Sequence, residues 1–142
     1  MNYARIVAAA AASTVAYYAL GFLIFGLITP FSAAYRPYTA VYRPSEAIFR
    51  YMPFGFGGTF VATLILGVIF AKFCQGTPGP AAGARFGVLV GLFAVCAFVG
   101  DNFVTLNIGR RLAAFQAVAA ILEWTTVGTV IGLIYKPKAA TP

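Results

Sequence analysis

The sequence predicts an all-α protein: a four-helix transmembrane bundle with a longer first loop, forming a single integral membrane domain over residues 1–142. Three observations predict it. Charged residues make up 9% of the 142, against 61% hydrophobic, whereas a soluble domain carries about 25% charged residues. Aromatic residues make up 16% and the mean hydropathy is +0.88, which excludes a disordered chain, because such chains are poor in aromatic and apolar groups. The apolar residues also fall into four runs of about 20–24 residues, near the length that crosses an apolar core of about 30 Å. In hydrocarbon the backbone must bond to itself, so helices are the expected solution.

Run one is Ile6 to Thr29, ended by Pro30. Arg5 and the Ser32-Ala33-Ala34 tripeptide imitate a signal peptide. The run between them, about 24 residues, exceeds the 7–15 of a signal core, so a retained helix is expected. The first loop, about Pro30 to Pro53, repeats a tripeptide: Tyr35-Arg36-Pro37, then Tyr42-Arg43-Pro44. Two copies are too few for a repeat architecture. Ser45 to Met52 is expected to form a short interfacial helix, with Glu46 near its start and Arg50 near its end, both favourable to the helix dipole. Run two is Phe54 to Phe73, after Pro53. Gln75-Gly76-Thr77-Pro78-Gly79-Pro80 then reads as a turn. Run three is Phe86 to Leu106. The tight connection Asn107-Ile108-Gly109-Arg110-Arg111 makes it an antiparallel neighbour of run four, which is Leu112 to Tyr135, ended by Lys136-Pro137.

The net charge is +7, from ten Lys and Arg against three Asp and Glu. The cations sit at the ends of the apolar runs. That is the placement for headgroup contact and topology control, and it points away from nucleic acid. Arg5, Lys72, Arg85, Lys136 and Lys138 collect on one side of the membrane, and Arg36, Arg43, Arg50, Arg110 and Arg111 on the other. The tie also permits dual insertion; the α-amino group tips the expectation toward both termini in the cytoplasm. Cys74 ends run two while Cys96 lies well inside run three, a depth difference of roughly 15 Å that argues against a disulfide. There is no histidine, so the commonest general base and metal ligand is missing. No catalytic residue, metal site or cofactor is implied, and an enzyme is not expected.

Lipid is as apolar as leucine, so helix association needs close backbone approach through small residues. Run three opens with Gly83, Gly87 and Gly91, and run four carries Gly128 and Gly132. Run one carries Ala8, Ala12 and Ala16 on one stripe. The glycines serve either packing within one chain or a homodimer seam. Tyr3, Tyr35, Tyr38, Tyr42, Tyr51, Phe73 and Tyr135 cluster near run ends, as interfacial anchors do.

Two of the three acids lie within apolar runs: Asp101, beside Asn102, and Glu123, beside Trp124. An ionisable group at mid-bilayer costs about 2.5–3.5 kcal/mol on insertion scales. Asp101 is expected roughly 7–8 Å from its interface and Glu123 roughly 16 Å from the same one. With Asn102 and with Gln116, seven residues before Glu123 and on its face, they outline a polar cup sunk into one leaflet. Three accounts remain open. In the structural one, Asp101 pairs with Arg110 or Arg111, and Glu123 is held neutral or pairs with Arg50. In the second, Glu123 holds and releases a proton in a transport site, with Trp124 walling it or stacking on a cation. In the third the two carboxyls act as acid and base, without any nucleophile to accompany them.

The glycine-spaced third helix (Gly83, Gly87, Gly91), the Asn107 to Arg111 hairpin, and a fourth helix with Trp124, Gly128 and Gly132 resemble small four-helix bacterial inner-membrane proteins of unknown function. The resemblance is one of layout over most of the chain. It implies a multi-pass inner-membrane location and no particular activity. Small multidrug transporters are similar in length and helix number but carry their essential glutamate in the first helix, where this chain has no acid. Two roles follow as expectations: an accessory or structural membrane protein, packing with itself or with a larger membrane complex, or a small proton-linked carrier centred on Glu123. The lipid bilayer is the expected partner in both.

Overall fold

In the computed structural model, which describes residues 1–74 and 77–137, the chain is all-α and four helices are long and apolar enough to span a membrane: Tyr3–Leu27, Ala47–Phe73, Pro80–Thr105 and Arg110–Ile134. Part of the connection at 75–76, and Lys138 among the cations, lie outside the described residues.

Helix α1 runs Tyr3–Gly21 and continues as a π-helical turn over Phe22–Leu27. Asn2 caps it, its Oδ1 accepting from the Arg5 amide at 3.3 Å, which satisfies one of the free donors of the first turn. The run therefore ends at Leu27, where Ile28 turns extended. Thr29 already belongs to the short helix α2, Thr29–Tyr35, with proline in its first turn. A 3₁₀ turn, Arg36–Tyr38, follows.

The first departure from expectation is α3. It spans Ser45–Phe73, 29 residues, and passes straight through Pro53. The proposed interfacial helix and run two are one element. Proline removes one backbone donor, but breaking the helix in a lipid-facing segment would strand several more. Pro44, extended just before Ser45, is the proline that ends the loop. Helix α4 similarly starts early, at Pro80–Ala94, with proline in the first turn where its missing N–H costs nothing. A π turn, Val95–Val99, leads into α5, Gly100–Thr105, and then α6, Arg110–Ile134.

Helices α1 and α6 form the centre, with α3 laid on α1 and α4 on α6. The core, Ile6, Ala9, Phe70, Val127, Ile131 and Tyr135, lies toward the end where α1 begins and α6 finishes: the Arg5 guanidinium donates to the Ile134 carbonyl at 3.5 Å. At the other end Tyr38 of the first loop accepts from the Gly109 amide at 2.7 Å. The described cations thus divide between the two ends as the run order implies. Cys74 and Cys96 are both free.

The glycines of α4 and α6 face each other inside one chain. A methyl added at Gly83 would meet the Gly128 carbonyl, one at Gly87 would lie 2.7 Å from the Thr125 Cα, and one at Gly91 would lie 2.9 Å from the Ile121 Cα. Gly132 closes on Gly79 and Gly83. The seam is intramolecular. On α1 the alanine stripe is not the packed face. Ala8 is exposed and Ala12 and Ala16 half-buried, while Ala9, Ala10, Ser13 and Thr14 are buried. Their hydroxyls mark this face: Ser13 donates to the Val127 carbonyl of α6, and Thr14 meets the Thr63 hydroxyl of α3 besides donating to the Ala10 carbonyl of its own helix.

Candidate functional site

Glu123 projects from the middle of α6 and is 7% exposed, the one charged residue among the buried side chains described. Neighbours from α1 and α6 enclose it. From α1 the Tyr17 hydroxyl is its hydrogen-bonding and electrostatic neighbour. Gly21, one turn on, leaves the room its carboxyl occupies: a methyl there would sit 3.1 Å from Oε1. The π-helical turn begins directly after Gly21, and such turns concentrate where a helix is bent to serve a site. From α6 itself, Trp124 packs on Tyr17 with ring centroids 5.4 Å apart.

A second polar layer lies between this acid and the loop end. Gln116 donates through Nε2 to Tyr42 at 2.8 Å and Tyr35 at 3.4 Å. The two phenol rings meet edge to face, 4.9 Å between centroids, and Phe25 from the π turn packs on Tyr35 at 5.5 Å. Burial pushes the Tyr35 phenol above its ordinary value, so near neutrality it keeps its proton. The Gln116 Oε1 is buried without a hydrogen-bond partner; an unpaired buried acceptor costs about 1–3 kcal/mol. Above the layer the first loop surrounds an open cavity of about 1150 Å³ lined by Ser32, Tyr35, Arg36, Tyr42 and Arg43 among others.

Of the five residues expected to form the cup, Trp124 lies beside Glu123, and Gln116 lies two turns away in the second polar layer. Asp101 and Asn102 do not join them. Asp101 is exposed on α5 and Asn102 half-buried, because the π turn at 95–99 rotates the end of this span relative to a continuous α-helix. The expected ion pairs are not formed either. Among the described residues Asp101 bonds neither Arg110 nor Arg111, and Glu123 has no arginine partner. Arg111 instead lies over the Phe115 ring at 5.5 Å and Arg43 over Tyr51 at 3.8 Å. Arg50 is exposed, a turn and a half inside α3, where a separate interfacial helix would have left it at an end.

Tyr17, Gly21, Tyr35 and Tyr42 are the site residues that sequence reasoning missed. Tyr35 and Tyr42 carried a signal in the doubled Tyr-Arg-Pro tripeptide, but tyrosine near a run end is equally an interfacial anchor. Tyr17 gave none.

Fold and site together define a multi-pass four-helix protein with a carboxyl enclosed by tyrosines between its helices. Comparisons with known protein families, curated proteins and solved structures match none of them to this chain.

Proposed function

We propose that the protein is a small proton-linked carrier of the cell membrane, with Glu123 as the group that exchanges a proton for a small organic amine. The observation that supports this is the environment of Glu123: a carboxyl 7% exposed, faced by a tyrosine hydroxyl and, among the described residues, without an arginine to neutralise it. Intramembrane acids are costly and mark ion or proton pathways unless they are paired. The Tyr17 and Trp124 rings beside it offer π faces to a cation. The Gln116, Tyr35 and Tyr42 layer acts as the gate between the loop cavity and the acid. In this role the chain binds and transfers rather than catalyses, and no cofactor is invoked. A bacterial-type inner membrane is the setting its compact, Ala- and Gly-rich helices suit. The accessory role draws on the glycine seam for assembly, and that seam is spent within the chain.

The test is uptake of radiolabelled organic amines into vesicles holding the purified protein, driven by an imposed pH gradient. Glu123→Gln should stop uptake while the helical circular dichroism and unfolding midpoint stay as in the parent. Asp101→Asn should transport normally. Unchanged uptake in Glu123→Gln would refute the carrier.

A further inference from the structure

Helices α3 and α4 follow each other in the chain, yet beyond the Phe70 and Phe86 rings, 5.5 Å between centroids, each leans mainly on the central pair. Between them runs an apolar groove of about 590 Å³, walled by Ile65 and Ile69 of α3, by Leu89 and Phe93 of α4 and by Phe98 of the π turn that follows, with Trp124 at its floor. Phe86 to Phe98, along the wall made by α4 and the π turn, covers about 18 Å at 1.5 Å per residue. One leaflet of the apolar core is about 15 Å deep, so the groove is as long as one acyl chain's share of the bilayer.

Its mouth is charged. Lys72 follows Ile69 by three residues and Ile65 by seven, which sets it on the groove flank of α3. Arg85 precedes Leu89 by four on α4 and shares that residue's side. Both cations are exposed, and both stand at the end of the bundle where α3 finishes and α4 begins. The third acid, Glu46, and Asp101 belong to the opposite end of their helices, so no carboxylate competes there among the described residues. Arg5, at the same end, is already engaged with the Ile134 carbonyl.

We infer that the α3–α4 groove is a binding site for an anionic phospholipid, its acyl chain lying along the groove to Trp124 and its phosphate held between Lys72 and Arg85. Arginine meets a phosphate through two parallel donors and lysine as a point charge, and both stems reach headgroup level by lying along apolar surface. The charge decides the lipid class: a zwitterionic headgroup gains little from two cations, whereas an anionic one is favoured by about fivefold in affinity for each.

Trp124 is the only tryptophan in the chain, so its fluorescence reports the groove directly. The purified protein in mixed micelles is titrated with phosphatidylglycerol brominated in its acyl chains, and separately with phosphatidylcholine brominated in the same way. The anionic lipid should quench Trp124 at a mole fraction at least about tenfold lower. Lys72→Gln or Arg85→Gln alone should reduce that preference about fivefold, and the double variant should remove it while both lipids still quench. Arg110→Gln, a cation at the far end, should leave the preference intact. The same circular dichroism spectrum in every variant shows that folding is not at issue. Equal quenching by the two lipids in the parent protein overturns the inference. So does the absence of quenching, including the case in which a second copy of the chain covers the groove and the protein sediments as a dimer.

Discussion

Two helix contacts hold this bundle by opposite means. Helix α4 meets α6 through bare backbone: Gly83, Gly87 and Gly91 lie against Gly128, Gly132 and the main chain of Ile121, Trp124 and Thr125, close enough that a single methyl collides. Helix α1 meets α3 through side-chain oxygens. The Thr14 hydroxyl donates to the Ala10 carbonyl at 2.9 Å and lies 3.0 Å from that of Thr63, itself 3.2 Å from Ala10 O, with Tyr18 and Thr59 joined 3.3 Å apart one layer on. The glycine contact gains van der Waals energy and tolerates no added atom. The hydroxyl contact gains modest bonds and tolerates isosteric change. Both solve the same problem, since lipid offers no hydrophobic drive between helices.

The largest expected effect breaks the first contact. Gly87→Leu forces a side chain into the α6 backbone and should cost about 3 kcal/mol or more, read as a collapse of the unfolding midpoint in a denaturing-detergent titration. The matching change in the second contact, Thr63→Val, keeps the shape and removes the hydroxyl. It should cost about 0.6–1.7 kcal/mol in the same titration. Combined with Thr14→Val the loss should be less than additive, because the two hydroxyls share one network; full additivity would show that they act separately.

Smaller effects sharpen the contrast at the loop end. Tyr38→Phe leaves the Gly109 amide without its acceptor, at about 0.5–1.5 kcal/mol, visible as faster hydrogen exchange at that amide with the bundle's core exchange unchanged. Gly21→Ala should hardly move the midpoint, because its neighbour at 3.1 Å is the end of the Glu123 side chain rather than backbone. It should instead weaken amine uptake by displacing that carboxyl. A midpoint loss as large as that of Gly87→Leu would mean that Gly21 is a packing glycine like those of the seam.

The glycine contact could be read directly from residue spacing, because glycine at every fourth position has one geometric use in a membrane helix. The hydroxyl contact could not. Ser13, Thr14 and Thr63 lie in runs where alanine is as frequent, and only their partners distinguish them from filler. The site divides the same way. Glu123 was legible as an acid inside an apolar run, and Gln116 through its seven-residue spacing. Tyr17 and Gly21 come from another helix, roughly a hundred residues away in sequence. Their part depends on how α1 is rotated about its axis, which hydroxyl pairing and not hydropathy sets.

By itself the sequence determined that this is a four-span helical membrane protein, because charge is too scarce to face water and the apolar runs have the length of a bilayer. It also determined that the glycines of α4 and of α6 are spaced for close helix approach. Tertiary structure alone decided that the seam closes within one chain, that Pro53 passes through an unbroken α3, and that Asp101 stands apart from Glu123. Each of these turns on a balance between neighbouring elements, such as a lost donor against several stranded ones, or a π turn against a regular helix. Residue spacing describes one helix at a time and cannot strike that balance.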